Sequence, residues 1–379
     1  MKKVGIITFH NSYNCGSMLE SYAMQTIIDK IGMNSEIINF SNSGQKELYN
    51  IMFKNNSIKN FIKNIILFPH KKRIGNNNIK YEEFKNKYFK LSDSYNAIDE
   101  LKDDLYSTVI AGSDQIWNIT IADADDAYFL PWVKNARKVA YAPSFGAKQI
   151  EKNASNEDII KYKRYINDFN ALSIRENNGK KWIKKLTGKD VPVLLDPTLL
   201  LEKKDYEKIE ASNAKYKEKY IFFYSPGFDS EICKYVKKIS EKYNLKVITW
   251  SAKHYYIKNV KRFGFELPEY ENPSMYLSLI KNAELVITTS YHGTIFSTIY
   301  KKKFITVKNG GMYGDDDRVI TLLEQLNMMD RLIPHEFDEE FNYLEEIDYT
   351  EYEKKINELK EKSINYLKNN LGDSNEKRK

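Results

Sequence analysis

The chain carries five histidines in 379 residues, and His292 stands where chemistry is easiest to arrange. It lies in the run Leu285-Val286-Ile287-Thr288-Thr289-Ser290-Tyr291-His292-Gly293-Thr294-Ile295-Phe296. The apolar β-branched residues read as a parallel strand buried on both faces. The Ser/Thr/Gly cluster supplies a turn and an N-cap, and Ile295, Phe296 and Ile299 then recur at helical spacing. An imidazole is thereby expected where the carboxyl end of a strand meets a helix N-terminus. In open α/β sheets that crevice binds ligands, and backbone N–H groups there favour an anion. Ser290, Tyr291, Gly293 and Thr294 would line such a site beside His292, whose proton can move near neutral pH.

Three further constellations could carry chemistry. The first apolar run feeds His10-Asn11-Ser12-Tyr13-Asn14-Cys15-Gly16-Ser17, a loop whose Asn14, Gly16 and Ser17 could hydrogen-bond a ligand, or simply join a strand to a helix. It lacks a G-x-G-x-x-G fingerprint and the lysine of a phosphate loop, so dinucleotide binding and nucleotide hydrolysis are weakly supported. Gly112-Ser113-Asp114-Gln115-Ile116-Trp117-Asn118 again ends a strand. Its Gln115 and Asn118 could hydrogen-bond a sugar on the indole face of Trp117, and Asp114 could join His292 in catalysis. Trp117 could equally be core. Arg175, in Ser173-Ile174-Arg175-Glu176-Asn177, and Arg318, after Gly310-Gly311 and Gly314-Asp315-Asp316-Asp317, are forks suited to a small dianion. Salt bridges to Glu176 and to the aspartate run are the structural alternatives. Asp196, at a strand end in Leu194-Leu195-Asp196-Pro197, is open to either a site role or a turn-and-cap role.

The elements that must position these groups alternate strand with helix, the signature of βαβ units and mostly parallel sheets. Strands are expected at Val4–Phe9, Ser35–Asn39, Thr108–Ala111, Lys138–Ala142 and Ala171–Ile174, then at Val193–Leu195, Tyr220–Tyr224, Lys246–Trp250, Leu285–Thr288 and Phe304–Val307. A helix is expected over Ser17–Ile31, and a packed terminal helix over Tyr352–Leu371, with Asp373–Lys379 frayed beyond it. The length fits about two domains of ~150 to 180 residues. The expected division is an α/β fold of two Rossmann-like domains, residues 1–188 and 189–335, with a C-terminal helical extension over 336–379.

The composition excludes several classes. The formal charge is +7, but 59 basic residues are interspersed with 52 acidic ones, so no nucleic-acid partner is expected. Cys15 and Cys233 lie far apart and outside any ligand motif, and the carboxylates fall at no metal spacing, so neither a disulfide framework nor a metal site is expected. The opening apolar run is too short for a signal sequence, and no stretch approaches the ~20 apolar residues of a bilayer span. These point to a reducing, cytoplasmic setting. Residues 56–73 stand apart: Ile58, Phe61, Ile62, Ile65 and Ile66 share one helical face, ringed by Lys54, Lys59, Lys63, His70, Lys71, Lys72 and Arg73. Such a helix could make peripheral contact with an anionic membrane surface at the inner face, or pack as an ordinary surface helix.

Taken in order, Asn14-Cys15-Gly16-Ser17-Met18-Leu19-Glu20-Ser21-Tyr22-Ala23, the Gly-Ser-Asp-Gln-Ile-Trp-Asn run, Tyr141-Ala142-Pro143-Ser144-Phe145-Gly146, Ser-Ile-Arg-Glu-Asn, Leu-Asp-Pro-Thr-Leu-Leu and Ser-Tyr-His-Gly-Thr resemble the polysaccharide pyruvyl transferase family over roughly Lys3 to Ile333. The resemblance implies a fold of the GT-B type, two Rossmann-like domains facing a cleft with residues 1–188 on the acceptor side and 189–335 on the donor side, and transfer of pyruvate from phosphoenolpyruvate onto two hydroxyls of one sugar, giving a ketal and phosphate without a further cofactor. The acceptor would be a surface polysaccharide precursor, lipid-linked in one form. By the same resemblance His292 is the general acid or an anion ligand, and Arg175 binds phosphoenolpyruvate. Better-known members have Arg where this chain has Tyr291, so Arg318 or one of Lys301–Lys303 is expected to supply that charge. A nucleotide-sugar glycosyltransferase and a non-catalytic carbohydrate-binding protein are the alternatives, since fold does not fix function.

Overall fold

The computed structural model describes residues 2–146, 153–212, 216, 218–308 and 316–371. The glycine-rich stretch before Arg318 and the tail Asp373–Lys379 lie outside them. Among the described residues ten strands form two five-stranded sheets, and every pairing within them is parallel. The first comprises β1 (Lys3–Ile7), β2 (Ser35–Phe40), β3 (Leu91–Tyr95), β4 (Tyr106–Ala111) and β5 (Arg137–Ala140), in the order β3-β2-β1-β4-β5. The second comprises β6 (Tyr220–Tyr224), β7 (Lys246–Thr249), β8 (Leu285–Thr288), β9 (Phe304–Val307) and β10 (Leu332–Ile333), in the order β10-β9-β8-β6-β7. Central strands such as Leu285–Thr288 are buried along their whole length, as helices on both faces of a parallel sheet require.

Two expected strands fail to extend. Ala171–Ile174 and Val193–Leu195 make only single bridges, Val139 to Ala171 and Ile174 to Val193. Two strands had no clear signal: Leu-Ser-Asp-Ser-Tyr of β3 is polar because it is a half-exposed edge, and β10 is two residues long. The first long helix, Cys15–Lys30, starts two residues earlier than its apolar period suggests, because the Asn14 side chain caps it by accepting from Gly16 N at 2.9 Å.

The chain divides into two compact units that differ from the expected division. One comprises residues 1–49, 87–201 and 354–379, the other 50–86 and 202–353. The boundary lies beyond 188 because residues 192–195 are stitched to the first unit: Leu194 N donates to Ile174 O at 2.9 Å and the Tyr141 hydroxyl to Leu195 O at 3.0 Å. The terminal helix Thr350–Leu371 is no separate extension either. Its Ser363 hydroxyl accepts from Leu195 N at 3.2 Å, and its Tyr366 hydroxyl donates to Ala140 O at 3.0 Å. These ties join residues far apart in sequence, so local periodicity carries no sign of them.

Residues 50–86 join the second unit in the same way. Asn77 Oδ1 accepts from Glu271 N at 3.0 Å, and Asn272 Nδ2 donates to Lys80 O at 3.4 Å. Burial pushes the Glu271 carboxyl up from 4.5 to about 7, although its Oε1 accepts from Ala252 N at 2.8 Å and Arg73 opposes the shift. At low pH the folded and unfolded chains both hold this proton and burial is harmless. Above about 7 the folded chain must carry a buried carboxylate, so stability falls as pH rises from 4.5 to about 7, by on the order of 3 kcal/mol. Glu271→Gln keeps the acceptor and removes the charge. Urea unfolding at pH 4 and pH 8 is expected to show a gap in favour of the variant that is small at the lower pH and opens at the higher.

Candidate active site

In the second unit the chain leaves β6 for β7 on one side of it and returns to β8 on the other. β6 and β8 therefore flank the switch point where open α/β sheets bind ligands. The loops after these two strands are tied together there. The Thr288 hydroxyl donates to Tyr224 O at 2.8 Å, Thr289 N donates to Tyr224 O at 3.1 Å, and the Thr289 hydroxyl donates to Ser225 Oγ at 2.9 Å. Helix Tyr291–Ile299 starts at once, with Ser290 as N-cap accepting from Gly293 N at 3.3 Å. Gly293 is required by closeness rather than by backbone angle, since a Cβ there would stand 2.4 Å from Thr288 Oγ1. The Thr294 hydroxyl shares a 2.8 Å bond with that of Thr306, fixing the first turn to β9. His292 is 8 % exposed in this turn, with the ring of Tyr291 edge-on at 5.3 Å. Its ring lies at the positive end of a helix dipole, which favours anions.

The first unit repeats the device between β1 and β4, where its strand order reverses. Gly112 N donates to Ile7 O at 3.1 Å, and the Thr8 hydroxyl donates to Ser113 O at 3.3 Å. Gly112 has a φ of +131°, and a Cβ on it would lie 2.1 Å from Tyr141 O, so no other residue fits. Asp114 follows in the left-handed region at φ 64°, which Asp tolerates better than most residues. Its Oδ2 accepts from the Ser17 hydroxyl at 2.5 Å.

Behind Asp114 lies a buried ionic cluster. Arg175 is 2.7 Å from Asp196, 3.3 Å from Glu20 and 3.7 Å from Asp114, and each of the four side chains is nearly or fully buried. Asp196 also accepts from Thr198 N at 2.9 Å and from its hydroxyl at 2.6 Å, so it is both cap and ion partner, uniting the two roles open for it. Ser17 and Glu20 lie one turn apart on helix Cys15–Lys30, which brings both to this edge of the sheet. Glu20 was missed in the sequence because a carboxylate inside an apolar helical run has no motif of its own. Asp123, in a turn between β4 and β5, was also missed, because an aspartate in a polar loop reads only as a turn former. Burial and the charge of Asp114 raise its carboxyl to about 6, against the pull of a backbone hydrogen bond.

Several expectations need correction. Trp117 is fully buried, stacked on Phe129 at 5.3 Å with its indole N–H donating to Tyr128 O, and is no sugar platform. Arg175 lies where expected, but three carboxylates surround its guanidinium. It is therefore engaged within its own unit instead of standing as an open anion fork. Arg318 pairs with Asp316 instead of projecting as an anion fork: its Nε donates to Asp316 Oδ1 at 3.1 Å, while the same carboxylate caps helix Asp317–Gln325. Lys301–Lys303 follow the far end of helix Tyr291–Ile299, about 13 Å along the axis from His292. Lys301 pairs with Glu353, Lys303 with Glu284 and Glu346, and Lys302 donates to Lys281 O. Asn14 acts as a helix cap. Gly16 is buried in the first turn that Asn14 caps, and Gln115 and Asn118 bond each other at 3.2 Å beside Gly146.

The polysaccharide pyruvyl transferase family matches residues 14–311. The chain belongs to this family. The match spans both switch points and every residue of the ionic cluster, so the site groups of the two units fall inside the family's own region. No curated protein is similar enough in sequence to match the chain. Among solved structures, a Listeria monocytogenes protein assigned as a UDP-N-acetylglucosamine 2-epimerase superposes with a TM-score of 0.51 at 8% identity, covering 98% of this chain and 93% of that one. The Methanocaldococcus jannaschii UDP-GlcNAc 2-epimerase gives 0.48 at 15% identity over 99% and 94%, and the E. coli heptosyltransferase WaaC gives 0.39 at 10% over 81% and 89%. At such identities the likeness is one of fold, and this pyruvyl transferase family member has two Rossmann-like α/β units, as in the GT-B fold class.

Removing the cation tests the ionic cluster. Arg175→Met leaves Glu20, Asp196 and Asp114 buried together, and loss of one partner from such a group costs about 3–5 kcal/mol. Chemical denaturation should show that loss, and an unchanged midpoint would mean that the carboxylates do not depend on the guanidinium.

Proposed function

We propose that this chain transfers pyruvate from phosphoenolpyruvate to two hydroxyls of one sugar in a surface polysaccharide precursor, forming a ketal and releasing phosphate. The observation that carries the reading is His292 in the first turn of a capped helix at the switch point of the second sheet, in a chain of this family. The reaction adds a proton to the methylene carbon of the donor and makes two C–O bonds at its neighbour. The bond from that carbon to the phosphate oxygen breaks, and phosphate leaves with the electron pair. Two hydroxyl protons are lost and one is gained by carbon, so one proton goes to phosphate or solvent.

His292 is the acid in this scheme, because an imidazolium near an anionic donor holds its proton near neutral pH and can release it to carbon. The helix N-terminus favours the donor's negative charge. Asp114 is the base for the acceptor hydroxyls, held by Ser17, with Arg175 as a positioning residue that keeps the carboxylate cluster together. Ser290, Gly293 and Thr294 shape the donor side, and Asn14, Gly16, Ser17, Gln115 and Asn118 shape the turns of the acceptor side. Tyr291 brings a neutral ring to the position where better-known members have Arg, which makes the helix N-terminus more important for holding the anion.

The test is phosphate release from phosphoenolpyruvate with candidate sugars, soluble and lipid-linked. His292→Ala is expected to lose activity by about 10²-fold or more while keeping its melting temperature. Full activity in that variant would remove the acid role, and release of a nucleotide from a nucleotide-sugar instead of phosphate would replace the reading with glycosyl transfer.

A further inference from the structure

The helix Ile58–Leu67 is built the wrong way out for a helix that only packs on its own protein. A surface helix normally turns its apolar stripe to the core and its polar face to water. Here Asn64 and Leu67 are the buried residues, while Ile58 is 80%, Phe61 55%, Ile62 51% and Ile65 58% exposed. The inversion is locked in place. Asn64 accepts from Phe53 N and donates to Phe53 O, both at 2.9 Å, and also donates to Asn55 Oδ1 at 2.7 Å. Leu67 packs in a small core with Ile74 and Ala252. Phe68, just beyond the helix, extends the exposed face at 72%.

The charge along this stretch of the chain has one sign. Between Glu47 and Glu82 the sequence holds no carboxylate but seven cations: Lys54, Lys59, Lys63, Lys71, Lys72, Arg73 and Lys80. Lys63 and Lys253 both lie over the Phe53 ring, and burial together with Lys63 lowers Lys253 to about 8. Ile66, 39% exposed, also lines a cavity of about 1040 Å³ whose wall includes His70, Arg73, Tyr256, Lys261 and Glu266. The apolar face thus passes into a recess with more cations than anions. Among the described residues no helix is long and apolar enough to cross a membrane.

We infer that the exposed face of residues 58–68 lies on an anionic lipid bilayer, with Ile58, Phe61, Ile62, Ile65 and Phe68 at the acyl boundary and the surrounding lysines at the head groups. Apolar insertion and attraction to anionic lipid are the two requirements of an interfacial helix, and both are met on one face of one helix. A second copy of this chain would have to bring the same cations against one another, which charge disfavours. A chain held there would meet lipid-linked sugars, which adds to the acceptor side of the function proposed above. The test reads binding alone, so failure of one does not decide the other.

The experiment is sedimentation of the full chain with vesicles of phosphatidylcholine, and of phosphatidylcholine mixed with phosphatidylglycerol, at low and high salt. The chain is expected to pellet with the mixed vesicles, weakly with the neutral ones, and less at high salt. A Phe61→Asp, Ile65→Asp double variant changes only exposed side chains and should partition at least about tenfold more weakly with an unchanged melting temperature. Absence of pelleting, or equal pelleting of parent and variant, would overturn the inference. So would a parent that ignores vesicles but is oligomeric by light scattering and becomes monomeric in the variant, since the face would then cover a second copy.

Discussion

In a parallel sheet every strand delivers its carboxyl end to the same edge, and both sheets of this chain are parallel throughout. The arrangement of functional groups depends on that constraint. The crossovers that parallel pairing needs bury both faces of the central strands, so groups that must meet a ligand collect in the loops at the strand ends. Where the strand order reverses, neighbouring loops leave in opposite directions and open a space. His292 occupies such a place in one unit and Asp114 in the other.

The two places solve their electrostatic problem differently. In the unit that holds His292, the loops after β6 and β8 present hydroxyls and a helix terminus, whose oriented dipoles favour negative charge. Around Asp114 the charge is formal: one guanidinium answers three carboxylates in a nearly water-free cluster. Such a cluster adds little net stability, because desolvation offsets the attraction, but it fixes geometry strongly because no member can leave alone. The same cluster engages an arginine that looks, in the sequence, like an anion fork.

Residues 50–86 belong to the second unit although the first unit flanks them in sequence. Asn77 accepts from Glu271 N, Leu67 packs with Ala252, and Asn64 ties helix Ile58–Leu67 to the backbone of Phe53 within the same segment, while the apolar residues of that helix face outward. Binding a helix by its amide side chains is the feature that frees its hydrophobic face.

The sequence by itself determined the alternation of strand and helix, the parallel α/β class, and the strand–loop–helix unit around His292, because these follow from local period and capping chemistry. The exposed-looking pattern of residues 58–66 was also legible, since its apolar period and basic flanks are local. Only the tertiary structure decided that Trp117 is core, that Arg175 and Arg318 are spoken for by carboxylates, that Glu20 and Asp196 meet, and that residues 50–86 and 354–379 each join a unit distant in sequence. The reason is the range of the interaction. Periodicity, turns and caps act over a few residues, whereas a buried charge finds its partner across 155 positions, as Arg175 does with Glu20, and sequence spacing holds no record of that distance.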